Sequence, residues 1–250
     1  MAKNSIAVFG LGKTGKALLN FLLKKNDFSK IYLYNDEVLD TSSNEILNYI
    51  SLGVEFCFGK EGVLQIVESV DLIVLSPGVN AMSKRFDIIR EKGIRIISEI
   101  EFAYSYIRNK DIKIIALTGT NGKSTTVSLI YHFLYKSGLD VVLAGNIGNP
   151  FISEVENIKN DSFLVLELSS YQLEDVENFK PYISLILNIT PDHLDRYGNM
   201  GAYLDAKLNI IKNQEMSDYL IYNEDDEILN KISINNVTKI NFSLFKKTIF

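Results

Sequence analysis

Short apolar runs alternate with helix-forming stretches along most of this chain, and that alternation limits the folds it can adopt. The first part has such runs at residues 6–9, 31–34, 54–58, 72–75 and 94–97, separated by helical stretches near 14–25, 43–51, 62–68 and 84–92. Strands that are apolar at every position are typical of parallel sheets with helices on both faces. The sequence therefore predicts an α/β fold built on a doubly wound parallel sheet.

A charged segment at residues 108–111 interrupts the alternation, and a second series follows it. Its apolar runs lie at 113–118, 141–144, 163–168, 183–188 and 219–222, with helical stretches at 123–137 and 202–213. We therefore predict two domains, residues 1–108 and 109–250, because the chain is too long for one average domain. Residues 239–250 look like a strand followed by an unfinished element, so we expect the second domain to be incomplete.

Composition excludes several other classes of protein. Hydrophobic residues make up 46% and charged residues 23%, as in globular proteins, and no apolar run is long enough to cross a bilayer. The net charge of −5 argues against a nucleic-acid partner. The single cysteine, Cys57, cannot form an internal disulfide and lies between two phenylalanines, which indicates a core thiol. We expect a cytoplasmic monomer that binds neither nucleic acid nor membranes.

The strongest local signal is the segment TGTNGKST at residues 118–125, between an apolar run and a helical stretch. Glycines in such a turn let backbone N–H groups converge on phosphate oxygens, and the helix N-terminus adds partial positive charge. Lys123 can reach the outer phosphates and Ser124 can bind Mg²⁺. Leu117 occupies the position of the usual first glycine, so a glycine-rich turn without a ligand is the alternative. The context favours a phosphate-binding loop.

Three further side chains could carry chemistry. Glu167 ends an apolar run, where it can hold the Mg²⁺ of a nucleotide unless it is a solvated carboxylate. His193 lies between Asp192 and Asp195, which suits a metal or phosphate contact, although a lone loop histidine is more often a surface residue. Lys207 has large apolar neighbours on its helix face. It either extends to solvent, the commoner outcome, or is half-buried with a lowered pKa that suits capture of CO₂.

The segment GLGKTG at residues 10–15 resembles a dinucleotide fingerprint whose third glycine comes early, at Gly15. A diphosphate could bind at this helix N-terminus. Asp36 is a candidate for the acidic residue expected after the second strand, and residues 76–79 reach the same sheet edge. A nicotinamide-dependent oxidoreductase would explain this turn but would leave the second domain unexplained. The other histidine, His132, lies mid-helix and is interpreted as structural.

Taken together and in this order, the motifs resemble those of the Mur ligases. The matching segments are 118–124, GNIG at 145–148, ELSS at 167–170, NITPDHLDR at 188–196 and YLDAK at 203–207. Residues 98–102 and 169–173, with the Gly-x-Gly turn, resemble the branch of that family that adds D-glutamate. The resemblance implies a Rossmann-like N-terminal domain and a P-loop NTPase-like central domain, with the C-terminal domain absent from this sequence.

The resemblance also implies a reaction. It is the ATP- and Mg²⁺-dependent joining of D-glutamate to UDP-N-acetylmuramoyl-L-alanine through an acyl phosphate, in peptidoglycan synthesis. Because the family's third domain is not in this sequence, we do not expect these 250 residues to complete the ligation alone. The alternatives are a non-catalytic fragment that binds a UDP-sugar or a nucleotide, and a sister ligase that adds another amino acid.

Residue matching to that family implies four sets of contacts. The ATP phosphates would be bound by Gly119, Thr120, Asn121, Gly122, Lys123, Ser124, Thr125 and Thr126. One Mg²⁺ would be held by Ser124 and Glu167, and a second by His193 and a carbamylated Lys207. Asn146 would contact the substrate near its reacting end, and it would act in catalysis with Lys123, His193 and Lys207. The UDP group would face Lys13, Thr14, Gly78 and either Asn35 or Asp36.

Overall fold

The structure is a computed structural model that describes residues 4–81 and 83–245, apart from the side chain of Arg85. The chain divides into two compact units, Met1–Phe102 and Ala103–Phe250. This division falls a few residues before the predicted domain boundary at 108, which stays a prediction. None of the helices within the described ranges has the length and apolar character needed to cross a membrane.

The first unit contains a parallel sheet of five strands. These are β1 Ser5–Phe9, β2 Lys30–Asn35, β3 Val54–Phe58, β4 Leu72–Leu75 and β5 Arg95–Ser98, in the spatial order β3-β2-β1-β4-β5. Its helices are α1 Lys13–Lys25, α2 Asn44–Ser51, α3 Gly59–Val67 and α4 Asp87–Glu91, with a 3₁₀ turn at Lys84–Phe86. Helix α5, Glu99–Ile107, runs into the second unit. The strand order reverses between β1 and β4, which is where ligands bind in open sheets of this kind.

The apolar runs are continuous because both faces of the first sheet are covered. Ile6, Ala7, Val8 and Phe9 of β1 are all fully buried, although successive side chains of a strand point to opposite faces. Cys57 in β3 is also buried, as predicted, and burial raises the pKa of its thiol to about 11. The parallel α/β sheet predicted from the alternation is confirmed in this unit.

The early third glycine of the GLGKTG segment has a packing reason. A Cβ atom at Gly15 would lie 1.8 Å from the carbonyl oxygen of Gly10, so only glycine allows α1 to start this close to the loop after β1. The same carbonyl accepts a hydrogen bond of 3.0 Å from the Ser76 hydroxyl, which follows β4. The loops after β1 and β4 are therefore joined at the switch point.

The second unit contains a parallel sheet of six strands. These are β6 Lys113–Thr118, β7 Val141–Gly145, β8 Phe163–Glu167, β9 Ile183–Ile186, β10 Tyr219–Asn223 and β11 Thr238–Phe242, in the order β11-β10-β9-β6-β8-β7. Its helices are α6 Lys123–Lys136, α7 Phe151–Glu154, α8 Ser170–Leu173, α9 Leu194–Tyr197 and α10 Met200–Leu208. Because β6 lies between β8 and β9, the three loops that follow these strands meet at one edge.

Several elements of the second unit differ from the sequence prediction. The helix predicted at 202–213 is α10 followed by a 3₁₀ turn at Asn209–Ile211, and the strand predicted at 183–188 ends at Ile186. Helices α7, α8 and α9 were not predicted, because four residues are too few to show a helical period. His132, interpreted as structural, is exposed on α6. The unfinished element expected after β11 lies largely at residues 246–250, outside the described range.

We predict that Gly15→Ala lowers the free energy of unfolding of the first unit by about 2–4 kcal/mol, because the new methyl group must displace backbone atoms. Gly12→Ala is the matched control, since a Cβ atom there meets nothing within 4 Å. Chemical denaturation followed by circular dichroism measures both. Equal stabilities of the two variants would contradict the packing role of Gly15.

Candidate nucleotide-binding site

The loop after β6, residues 118–125, has the backbone shape that a phosphate ligand requires; we call it the phosphate loop. Gly119 has φ of 148° and Gly122 has φ of 80°, in the region that favours glycine. Gly122 caps α6, whose first turn leaves N–H groups without partners inside the helix. Ser124 and Thr125 in that turn are exposed, and Thr126 donates to the carbonyl of Gly122 at 2.9 Å. The loop thus presents a helix N-terminus and two hydroxyl groups to solvent.

Asn188, in the loop after β9, holds the phosphate loop in place. Its Oδ1 accepts hydrogen bonds from the backbone N–H groups of Thr120 at 3.1 Å and Asn121 at 2.8 Å, and its Nδ2 donates to the carbonyl of Asn121 at 3.0 Å. Sequence reasoning gave this side chain no role. The signal that could have identified Asn188 is an amide side chain just after a strand that ends at the same sheet edge as β6. The N–H groups of the first turn of α6 are left to face a ligand.

Two lysines donate to carbonyls of the phosphate loop. Nζ of Lys123 lies 2.8 Å from the carbonyl oxygen of Thr120. Nζ of Lys207, on α10, lies 2.9 Å from the carbonyl oxygen of Gly119 and 4.6 Å from the centre of the Tyr203 ring. Lys207 is only 2% exposed. Of the two outcomes considered from the sequence, burial is therefore the observed one, and Lys207 does not extend to solvent.

Burial changes the acid–base chemistry of Lys207. Desolvation lowers its pKa to about 7, the positive charge of Lys123 lowers it further in the same direction, and the carboxylate of Asp192 acts in the opposite sense. At neutral pH a large fraction of this amine is consequently unprotonated. That is the form with a free electron pair for reaction with CO₂.

Glu167, at the end of β8, fits a hard cation. Its side chain is buried, and Oε1 accepts a hydrogen bond of 2.9 Å from Nδ2 of Asn146. Oε2 of Glu167 is buried without a hydrogen-bond partner among the described residues, and so is Oγ1 of Thr118. An unpaired buried carboxylate oxygen is costly, whereas Mg²⁺ is bound through one or two such oxygens together with phosphate and water. Among the described residues, no group of three or more His, Cys, Asp or Glu side chains lies close enough together to hold a metal ion.

His193 lies at the same edge but is not buried. Its side chain is 44% exposed, and Nε2 lies 3.5 Å from Oδ2 of Asp192. The ring centre is 4.8 Å from that of Tyr171 and 6.3 Å from that of Tyr203. The Tyr203 hydroxyl is in turn 3.2 Å from Oγ1 of Thr120. Tyr203 thus links His193, Lys207 and the phosphate loop, a role that the sequence did not reveal.

The residues predicted to face UDP lie at the carboxyl edge of the first sheet. Lys13 and Gly78 are exposed and Thr14 is half-buried. The amide of Asn35 donates to the carbonyl of Glu37 at 2.9 Å, and the Asp36 carboxylate accepts from the Tyr34 hydroxyl at 2.9 Å. Asp36 also lines a cavity of about 520 Å³. The other lining residues are Tyr34, Gly59, Lys60, Val63, Leu64, Lys84 and Ile88.

The second unit combines three features at the carboxyl edge of its sheet. Its central strand leads into a glycine-containing loop and a helix, and a buried carboxylate ends the adjacent strand. That combination is typical of α/β domains that bind nucleotide phosphates.

Comparison with known families makes the assignment specific. Residues 4–98 match the Mur ligase MurD-like N-terminal domain, and residues 117–249 match the Mur ligase middle domain. The two matches follow each other along the chain in the predicted order. The chain belongs to the Mur ligase family, and the predicted fold class is confirmed.

Curated relatives with similar sequences carry the name UDP-N-acetylmuramoylalanine--D-glutamate ligase. The protein of Thermoanaerobacter sp. (strain X514) is 42% identical over 223 residues, which are 89% of this chain and 48% of the relative. The protein of Oceanobacillus iheyensis is 34% identical over 239 residues, which are 95% of this chain and 52% of the relative. The chain spans about half the length of the curated relatives it matches.

Solved structures share the fold. A UDP-N-acetylmuramate:L-alanyl-gamma-D-glutamyl-meso-diaminopimelate ligase from Neisseria meningitides aligns with a TM-score of 0.56 and 17% identity, over 95% of this chain and 78% of that chain. The MurF ligase from Thermotoga maritima, solved in complex with ADP, aligns with a TM-score of 0.53 and 16% identity, over 87% of this chain and 48% of that chain. At these identities the likeness is one of fold alone.

We predict that the stability contributed by Lys207 depends on pH. Its folded pKa of about 7 lies below the ordinary 10.5, so between these values the unfolded chain binds more protons than the folded chain. Relative to Lys207→Met, the free energy of unfolding of the wild type should rise from about pH 7 to about pH 10, by on the order of 4 kcal/mol. Urea denaturation in CO₂-free buffer measures the difference, and a pH-independent difference would contradict the burial of the amine.

Proposed function

We propose that this chain supplies the precursor-binding and ATP-binding parts of a ligase that joins D-glutamate to UDP-N-acetylmuramoyl-L-alanine. The observation that carries the proposal is the buried, half-satisfied carboxylate of Glu167 beside a phosphate loop, in a chain whose relatives bear that name. For these 250 residues alone we propose binding of precursor and ATP rather than complete ligation. The need for ATP is met in the cytoplasm, where we expect the protein to act.

In the proposed reaction, the precursor carboxylate attacks the γ-phosphorus of ATP and ADP leaves. The amine of D-glutamate then attacks the acyl phosphate, and an amide and phosphate are formed. The central difficulty is electrostatic, because a triphosphate and a carboxylate must approach each other. Lys123 would release the carbonyl of Thr120 and bind the outer phosphates, because its hydrogen bond to a charged acceptor is stronger. Asn146, held by Glu167, would orient the precursor near its reacting end.

Mg²⁺, when bound, would supply further positive charge to the phosphates. Ser124, exposed in the first turn of α6, and Glu167 are the proposed ligands of one ion. Lys207 is proposed to bind the second through a carbamate formed on its unprotonated amine, with His193 at the same edge. In that state the carbamate would carry a negative charge, and its nitrogen would keep one N–H that can donate to the carbonyl of Gly119.

The proposed UDP site lies in the first unit. The N-terminus of α1, with Lys13 and Thr14, is proposed to bind the diphosphate, because a helix N-terminus and an adjacent ammonium group both attract anions. Asp36 is favoured over Asn35 for contact with the base. Both side chains already make a local hydrogen bond, but Asp36 also lines a cavity large enough for a small ring.

We predict that Lys123→Ala weakens ATP binding by more than about tenfold, because a charge-assisted contact to the phosphates is lost. The matched control is Lys136→Ala, which removes the same charge from the other end of α6. Calorimetric titration with ATP and Mg²⁺ measures both. Equal affinities in the two variants would remove the phosphate loop from the proposed site.

We predict that Thr14→Glu abolishes saturable binding of UDP-N-acetylmuramoyl-L-alanine, because it adds a repelling charge at the proposed diphosphate site. An acidic residue in the first turn of a helix is favourable for folding, so the effect should be on binding. Asn44→Glu places the same charge at the start of α2 and should bind normally. If calorimetry finds that Thr14→Glu binds as well as wild type, the diphosphate does not lie at α1.

A further inference from the structure

Glu174, which directly follows α8, binds two consecutive residues of α9. Its carboxylate accepts hydrogen bonds from Nε of Arg196 at 3.0 Å and Nη2 of Arg196 at 2.5 Å, and from the Tyr197 hydroxyl at 2.6 Å. The side chains of Arg196 and Glu174 are only 10% and 14% exposed. This bidentate and largely buried pair is of the kind that fixes geometry, unlike an exposed ion pair.

The pair supports an aromatic cluster that consists of Tyr171, His193, Tyr197 and Tyr203. The Arg196 guanidinium lies 4.1 Å from the centre of the Tyr171 ring, which also lies 4.8 Å from the His193 ring and 6.0 Å from the Tyr197 ring. The Tyr197 ring lies 5.4 Å from the Tyr203 ring. Arg196 therefore contacts Tyr171, which reaches His193. Tyr197 contacts Tyr203, which reaches the phosphate loop.

Helices α8 and α9, which Glu174 joins, depend on contacts with other segments for their positions. Helices α8 and α9 have four residues each, far too few to be stable alone. A capping box between Ser169 and Gln172 holds the start of α8 close to the end of β8, but His193, which caps α9, has no side-chain cap bond. The position of α9 and of His193 thus depends on contacts from outside α9, and the Glu174 carboxylate supplies three of them.

The sheet order explains why this matters for the site. Strands β8 and β9 flank β6, so the loops that follow them lie on either side of the phosphate loop. Asn188 joins the β9 loop to the phosphate loop, and Glu174 joins the β8 loop to the β9 loop. We infer that Glu174 is a positioning residue: through Arg196 and Tyr197 it sets the orientation of His193 relative to the phosphate loop. For its part in Mg²⁺ binding, this inference rests on the proposed function.

The first test measures orientation without any ligand. The chain has two histidines, His193 and His132, so their ring signals in a ¹H–¹³C spectrum of the whole chain are readily assigned. The Tyr171 ring should shift the His193 signals away from free-histidine positions. In Glu174→Gln these signals should move toward those positions, while those of His132 on α6 stay unchanged. Unchanged His193 signals in a folded Glu174→Gln variant would overturn the inference.

The second test measures the consequence for metal binding. We expect Glu174→Gln to bind ATP in the presence of EDTA as wild type does, but to need about tenfold more Mg²⁺ for the metal-dependent gain in affinity. Glu227→Gln, an exposed glutamate outside the cluster, should behave as wild type. An unaltered Mg²⁺ requirement in Glu174→Gln would overturn the link to the metal. A wild type that binds no ATP would instead contradict the proposed function and leave the spectroscopic result to decide the inference.

A milder variant covers the case in which Glu174→Gln does not fold. Tyr197→Phe removes only the hydroxyl that donates to Glu174 and leaves the ring in the cluster. It should move the His193 signals in the same direction by a smaller amount. A merely structural role for the pair would lower stability in both variants without this shift, so Tyr197→Phe with native His193 signals would also overturn the inference.

Discussion

The candidate site depends first on the hydrogen bonds that the Asn188 side chain makes with the backbone of the phosphate loop. A loop with two glycines at positive φ is costly to order, and its N–H groups can converge on a phosphate only if the backbone is fixed beforehand. Asn188, in the loop after the neighbouring strand β9, donates one hydrogen bond to this backbone and accepts two, at Thr120 and Asn121. Because β6 lies between β8 and β9, Asn188 supports the phosphate loop from the β9 side and Glu167 lies on the β8 side.

A second constraint is the burial of charge around this loop. Lys207 is buried and desolvation lowers its pKa, while one carboxylate oxygen of Glu167 has no hydrogen-bond partner among the described residues. Both features destabilise the isolated fold, and both are what an incoming cation and its phosphates would relieve. Such uncompensated groups cluster at sites that bind ligands, and Lys207 and Glu167 lie at the same sheet edge.

The parallel sheets and the phosphate loop could be predicted from the sequence because their signals are local. Apolar runs such as 6–9 and 163–167 mark strands covered on both faces, and glycines before a helix mark the loop. What the sequence could not supply were contacts between distant segments. The burial of Lys207, the support from Asn188 and the link through Tyr203 each depend on residues brought together by strand order. The early position of Gly15 is visible in the sequence, but only the structure shows that the carbonyl of Gly10 leaves no room for a side chain there.

The wide sequence separation across the phosphate loop has a consequence for how the protein is made. The bond between Lys207 and Gly119 closes over 88 residues, and that between Asn188 and Asn121 over 67. Contacts between residues so far apart in the sequence form slowly, after the intervening strands have paired. A nascent chain that has emerged only as far as α6 would therefore expose an unsupported glycine loop. Competence to hold a nucleotide should therefore appear only after α10 has left the ribosome.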